Sequence, residues 1–464
     1  MTSPTGATRS TASDQTLTAK RSAGLGRRAA LGLVDQGLSS VTNFALNILV
    51  VSSVSSADYG AFALVYAIYF LARSAVIALV GQPLLIRHTD AERVGGRAPV
   101  SYRRALGASL LLGMGGGLLL LALAGASWAL FAGSPLISRA LVVLAIALPG
   151  LFLHDGLRCV YFAAGRPQAA IAIDLAWAVT LLVPVAILLD TGQEQVELLL
   201  LAWGAAAAVA AVAGLVASRM LPKFDGALAW LYGVRSLSLP IFGEALIPQL
   251  ALQGVTMVVA ALAGLEAVGV LRSAVLLASP LNVFLLAIPI IAVPEAMRIL
   301  HDEPERHRPA MAVLSAALAT VFGLWCAAML LLPDAIGTRV LGESWPAASH
   351  ILPQVSGYYV FTALGVGAMV GLRTLELASR SFRARAAGSI IGLAAGAAGA
   401  FLAGAEGAAL GLAAGAVVTT ILLWASFRRD LPVPAGRTEA QASGSRFGAD
   451  AATDAHQPAP PHQR

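Results

Sequence analysis

Twelve long apolar stretches run through this chain, and its basic residues gather in every second gap between them. A helix needs roughly 20 mainly apolar residues to cross a hydrocarbon layer of about 30 Å. Inside lipid, only helices and closed barrels satisfy their own backbone hydrogen bonds. The pattern therefore constrains the chain to an all-α membrane protein with about twelve transmembrane helices. The spans fall at about 29–53, 60–86, 103–131, 138–164, 168–190, 196–219, 237–262, 266–297, 308–332, 346–375, 383–403 and 406–427.

Orientation comes from the gaps. Lys20, Arg21, Arg27 and Arg28 precede the first span, and Arg87, Arg93, Arg97, Arg103 and Arg104 surround the second gap. Arg166, Arg219, Lys223, Arg235, Arg298, Arg306, Arg308, Arg373, Arg380, Arg383 and Arg385 occupy later even-numbered gaps. The odd gaps hold only Arg139 and Arg339. Short basic loops stay cytoplasmic, so both termini are placed inside. The expected location is a bacterial plasma membrane.

The 58% hydrophobic and 12% charged composition excludes an ordinary soluble domain. A net charge of +6 does not imply nucleic-acid binding, because the arginines are scattered over short loops without interleaved aromatics. Cys159 and Cys326 lie within apolar spans and read as small core residues, with no metal-ligand spacing around them. No cofactor is expected. Gly-Lys-Ser/Thr, His-Glu-x-x-His and Gly-x-Ser-x-Gly motifs are all missing, which argues against an enzyme.

Six spans, a basic connector and six more spans suggest internal duplication. The expected organisation is a disordered tail at 1–28, a six-helix lobe at 29–219, a connector at 220–236, a second lobe at 237–428 and a disordered tail at 429–464. Asp35 and Gly60 stand 25 positions apart at the start of the first lobe, and Glu244 and Gly269 repeat that spacing in the second.

Polar residues inside the spans are costly and mark candidate sites. Gln36, Ser40, Asn43 and Asn47 share one face of span 1, with Asp35, Ser39 and Thr42 beside them. That stripe reads as facing a water-filled cavity, the alternative being hydrogen bonding between helices. Span 7 carries Glu244, Gln249, Gln253 and Thr256, and Pro240 and Pro248 predict a kink or break there. Arg73, at mid-depth in span 2, needs an anion, a carboxylate or water; the alternatives are a salt bridge to Asp35 or an anionic substrate group. Arg272, near the outer end of span 8, either snorkels to the interface or joins the site. His154, Asp155 and Arg158 lie within about a turn of one another in span 4, and Asp174 of span 5 sits at a depth where it can partner Arg158. His154 reads as a proton relay or as a residue satisfied by a neighbouring helix. Asp155 and Asp174 are ion-coupling candidates, and Asp35 and Glu244 balance charge or couple an ion. The steps Gly388, Gly392, Gly396 and Gly407, Gly411, Gly415 mark close helix packing.

Two segments carry a resemblance. Val34 to Phe44 (Val-Asp-Gln-Gly-Leu-Ser-Ser-Val-Thr-Asn-Phe) and Ser56 to Ala63 (Ser-Ala-Asp-Tyr-Gly-Ala-Phe-Ala) resemble the opening of polysaccharide-biosynthesis membrane proteins. Those are oligosaccharide flippases of the multidrug/oligosaccharidyl-lipid/polysaccharide exporter superfamily. Gly269 to Ala274, Ser279 to Val283 and the external Leu341-Gly342-Glu343-Ser344-Trp345 resemble the same family. The resemblance implies two six-helix lobes with alternating access and spans 1, 2, 7 and 8 around the cavity. It implies an undecaprenyl-pyrophosphate-linked oligosaccharide as substrate, moved to the outer leaflet.

On this reading Arg73 and Arg272 hold the anionic headgroup, while Asn43, Asn47, Gln249 and Gln253 contact sugar. Partners are the lipid-linked glycan, the bilayer and polysaccharide-assembly enzymes, and a monomer is expected. A cation-coupled drug antiporter of the same superfamily is the first alternative, and Arg73 weighs against it. A membrane glycosyltransferase or glycan polymerase is the second; the short external loops near Ser52–Asp58 and Asp190 weigh against that.

Overall fold

The computed structural model describes residues 31–32, 34–87, 100–130 and 135–428, and the expected tails at 1–28 and 429–464 lie outside them. The side chains of Glu244 and Pro248 lie outside the described residues as well. The helices fall close to the apolar stretches. In chain order they are α1 (34–51), α2 (Ser56–Val76, continuing to Arg87), α3 (Val100–Leu130), α4 (Pro135–Ala163), α5 (Pro167–Asp190) and α6 (Val196–Ser218). The second half has α7 (227–263), α8 (265–278 and, past Ser279 and Pro280, Leu281–Asp302), α9 (Pro304–Leu330), α10 (Trp345–Thr374), α11 (378–402) and α12 (405–428). Nine described helical stretches are long and apolar enough to cross a membrane. Glycine breaks divide the longest of them.

Those breaks are local backbone events. Gly264 (φ 84°) ends α7 and Gly404 (φ 57°) separates α11 from α12. Both sit in backbone that a side chain disfavours, so glycine turns the chain there without a loop. The break expected at Pro240 and Pro248 is not found: α7 keeps helical dihedrals past both prolines and departs from them only at Gly264. The chain resumes helix at Ala227, so α7 starts some ten residues before the expected end of the connector.

The glycine steps of α11 and α12 pack as expected. A side chain at Gly399 would overlap the Gly407 backbone, one at Gly407 the Gly399 backbone, and one at Gly411 the backbone of Ala395 and Gly396. Without a hydrophobic drive between helices in lipid, such close backbone approach supplies the van der Waals energy. In the first half, α3 lies along α4 in the same way: Gly113 has no room for a Cβ beside Pro149, nor Gly117 beside Ala145. Large apolar side chains such as Leu118, Val216 and Leu402 remain exposed, as a lipid-facing surface requires.

The duplication has a direct structural expression. A Cβ at Gly60 would strike the Leu265 carbonyl, and a Cβ at Gly269 would strike the Ser56 carbonyl. Ser56 and Leu265 are separated by the same interval as Gly60 and Gly269 (265 − 56 = 269 − 60). Residue i touching j while the equivalent of j touches the equivalent of i is the signature of a two-fold axis. It runs between the outer ends of α2 and α8.

Candidate functional site

Four helices of the first half converge on a buried charge cluster. Arg73 of α2 donates from Nε to both oxygens of Asp155 on α4, at 2.9 and 3.0 Å. Tyr69 Oη, one turn back on α2, donates to Asp155 Oδ2 at 2.9 Å. Arg158, one turn after Asp155, bonds to Asp35 of α1 and lies 3.0 Å from Asp174 of α5 through Nε. A looser approach of 3.7 Å links Arg158 to Asp155. The pairing of Arg73 with Asp35 is thus corrected: Asp155 takes Arg73, and Arg158 takes Asp35. Depth alone suits either pairing, and helix rotation decides it.

Burial in the cluster is near complete. Asp174 is 0% exposed, and Asp35 and Asp155 are 3% exposed. Isolated charges at this depth are very costly, so the ion pairs are obligatory rather than optional. Even so, neither oxygen of Asp174 and only one oxygen of Asp35 accepts a hydrogen bond among the described residues. His154 lies 3.5 Å from Asp174 and packs against the Trp177 ring, without hydrogen-bond geometry to the carboxylate. The cluster holds three carboxylates against two guanidiniums.

Arg73 also faces outward from the cluster. Its side chain is 28% exposed, and only its Nε is hydrogen-bonded among the described residues. Immediately beyond it, α2 opens into a π-helical turn at Ile77–Gly81. Nothing in the sequence signals that turn.

The stripe on span 1 divides: Gln36 is exposed and Ser40 half-buried, while Asn43 and Asn47 reach α2. Asn47 accepts a hydrogen bond from Tyr59 Oη at 3.1 Å, and Asn43 accepts one from Tyr66 Oη. Asn47 and Thr42 are buried, and Thr42 bonds back to the Leu38 carbonyl. The two asparagines therefore knit α1 to α2. Tyr59 and Tyr66, two turns apart on one face of α2, are the readable counterpart. On α7, Gln253 and Thr256 are buried, and the Oε1 atoms of Gln249 and Gln253 have no hydrogen-bond partner among the described residues.

Arg272 of α8 is half-buried, one turn past Gly269 on the helix that packs against α2, and Tyr59, Tyr66 and Tyr359 lie within reach of its charge. Among the described residues no carboxylate pairs with it. Tyr66 is within electrostatic reach of both Arg272 and Arg73. Surface hollows of about 310 Å³, lined by Asp58, Arg139 and Glu197, and of about 370 Å³, lined by Glu266, Val270, His350 and Glu406, open nearby.

The fold has solved counterparts. An inward-facing multidrug resistance MATE family transporter of the MOP superfamily matches with a TM-score of 0.65 at 14% identity, covering 90% of this chain and 96% of that one. The lipid II flippase MurJ in an inward closed conformation matches at 0.59 and 12% identity, over 85% of this chain and 87% of that one. An outward-facing MATE family transporter matches at 0.55 and 15% identity, over 87% and 94%. The chain therefore has the fold of MOP-superfamily transporters: two six-helix halves in an all-α membrane protein. No family model matches the sequence, and no curated protein matches it.

Proposed function

We propose that the protein is a membrane transporter that carries an anionic, lipid-linked oligosaccharide from the inner to the outer leaflet of a bacterial plasma membrane by rocking its two halves. Arg272 carries the reading: a half-buried guanidinium on the helix that meets α2, within electrostatic reach of Tyr59, Tyr66 and Tyr359 and with no carboxylate paired to it among the described residues. A phosphate or pyrophosphate headgroup would offset its cost there through charge-assisted hydrogen bonds. Arg73 adds a second cation whose terminal nitrogens are not hydrogen-bonded among the described residues. The unpartnered amide oxygens of Gln249 and Gln253 suit sugar hydroxyls. Asn43 and Asn47 leave that role, since their carbonyl oxygens already accept tyrosine hydroxyls.

The charge cluster is the proposed coupling element. Asp35, Asp155 and Asp174 exceed Arg73 and Arg158 by one charge, and a single bound proton or monovalent cation removes that excess. Likeness of fold to a drug exporter and to a lipid II flippase supports transport over catalysis. The drug-antiport alternative prefers an acidic path. Two cations on the path favour an anion.

Proteoliposomes loaded with a fluorescent polyprenyl-diphosphate disaccharide test the proposal. The wild-type protein should move it across the bilayer, and Arg272→Gln should slow that at least tenfold with the fold intact. Movement of lipophilic dye cations, with none of the diphosphate lipid, would replace this reading by drug antiport.

A further inference from the structure

The halves meet at their outer ends with their backbones in direct approach. Gly60 and Gly269 interlock on the two-fold axis, each occupying space that a Cβ would need beside the carbonyl of the opposite helix. A second set of contacts closes around them. Ser56 Oγ and Ser344 Oγ share a hydrogen bond of 3.0 Å, with Ser344 fully buried. Gly342 (φ 57°) lies where a Cβ would come within 2.8 Å of the Ser52 carbonyl. The segment that presents Gly342 and Ser344 is braced beforehand: Trp345 donates from Nε1 to Asp334 at 2.9 Å and covers Gly337. Every one of these groups lies at the outer end of its helix or in an outer turn. By contrast, the inner-side bonds from the first half run to the chain-adjacent connector and to α7. Examples are Arg103 to the Leu221 carbonyl and Arg87 to the Gly233 carbonyl.

We infer that the interlocked Gly60–Gly269 pair, with Gly342 and Ser344 seated on the Ser52–Ser56 turn, is the outer gate of the molecule. The inference rests on the transporter reading. Small residues make the gate tight, because backbones touch directly and leave no channel for water or headgroup. They also make it separable: among the described residues no ion pair bridges the two tips, and their one side-chain hydrogen bond is the Ser56–Ser344 pair, set among buried apolar side chains such as Tyr59, Val268 and Leu341. Arg272 sits one turn inward of Gly269, so a bound headgroup would rest directly beneath the closed gate. Symmetry explains why the gate lies here. A two-fold axis is the one line where a single small-residue position serves both halves at once.

The test uses the full chain in nanodiscs, spin-labelled at the exposed outer positions Gln193 and Ile336. Gly60→Val and Gly269→Val should each move the distance distribution several ångströms outward. The double variant should move it no further than either single one, since one side chain suffices to part the contact. An unchanged distribution in variants that melt like the wild type would overturn the gate. Should the valine variants fail to fold, Ser56→Cys with Ser344→Cys decides. The oxidised pair should remove the long-distance population and stop diphosphate-lipid movement, with recovery on reduction. Oxidised protein that still cycles at the reduced rate would overturn it. Reduced protein that moves no diphosphate lipid while the valine shift persists would refute the transport reading and leave the gate standing.

Discussion

The two halves share a fold and divide its chemistry. The first half buries Asp35, His154, Asp155, Arg158 and Asp174 in one cluster that ties α1, α2, α4 and α5 together. Among its described residues, the second half buries no Asp, Glu, Lys or Arg; its buried polar groups are serines, threonines, Gln253 and His307. His307 is satisfied by Thr374 Oγ1 at 2.9 Å and packed by Phe427. Glycine contact between α11 and α12 holds that half. Close backbone packing thus serves both halves, and the buried paired charges are found in the first alone among the described residues.

The comparison is most vulnerable at Arg158. Arg158→Leu strands Asp35 and Asp174, and removing one partner of a buried pair costs about 3–5 kcal/mol. Thermal unfolding in detergent should show that loss, and adding Asp35→Asn and Asp174→Asn should restore most of it. Recovery would be absent if Arg158 acted by packing alone. In the second half, Gly399→Val should cost about 1–3 kcal/mol by overpacking against Gly407, with no rescue by any charge change. Asn47→Leu removes the Tyr59 bond and should cost about 0.6 kcal/mol, the usual worth of a contact between helices. At the outer rim, Arg139→Ala breaks a 2.8 Å pair with Glu197. Arg139 is 59% exposed, so the same melts should move by less than about 0.5 kcal/mol.

Hydropathy and charge alternation make the helices legible, because span length and loop charge are one-dimensional properties. Rotation about each helix axis is not. Asp35, Asp155 and Asp174 all lie at depths open to a basic partner, so the sequence alone does not distinguish Arg73–Asp155 from Arg73–Asp35. The polar stripe of α1 is legible as one face, but the bonds of Asn43 and Asn47 are not, because the tyrosines they accept from sit on another helix. The equal spacing of Asp35–Gly60 and Glu244–Gly269 points to duplication, yet contact between the two glycines is a tertiary fact. Arg158 reads in sequence with an i, i+3 partner in Asp155 and a candidate partner in Asp174, which it approaches at 3.0 Å; its bond to Asp35 of α1 emerges only from packing.

Flux of a diphosphate-linked lipid through proteoliposomes, compared between charge variants of the two halves, tests the division of labour most directly. Asp174→Asn keeps the shape of the cluster and changes its charge, and it should cut flux at least tenfold while the protein melts normally. Glu266→Gln and Glu406→Gln in the second half should leave flux within twofold of wild type. Normal flux in Asp174→Asn, together with loss in the second-half variants, would contradict the account.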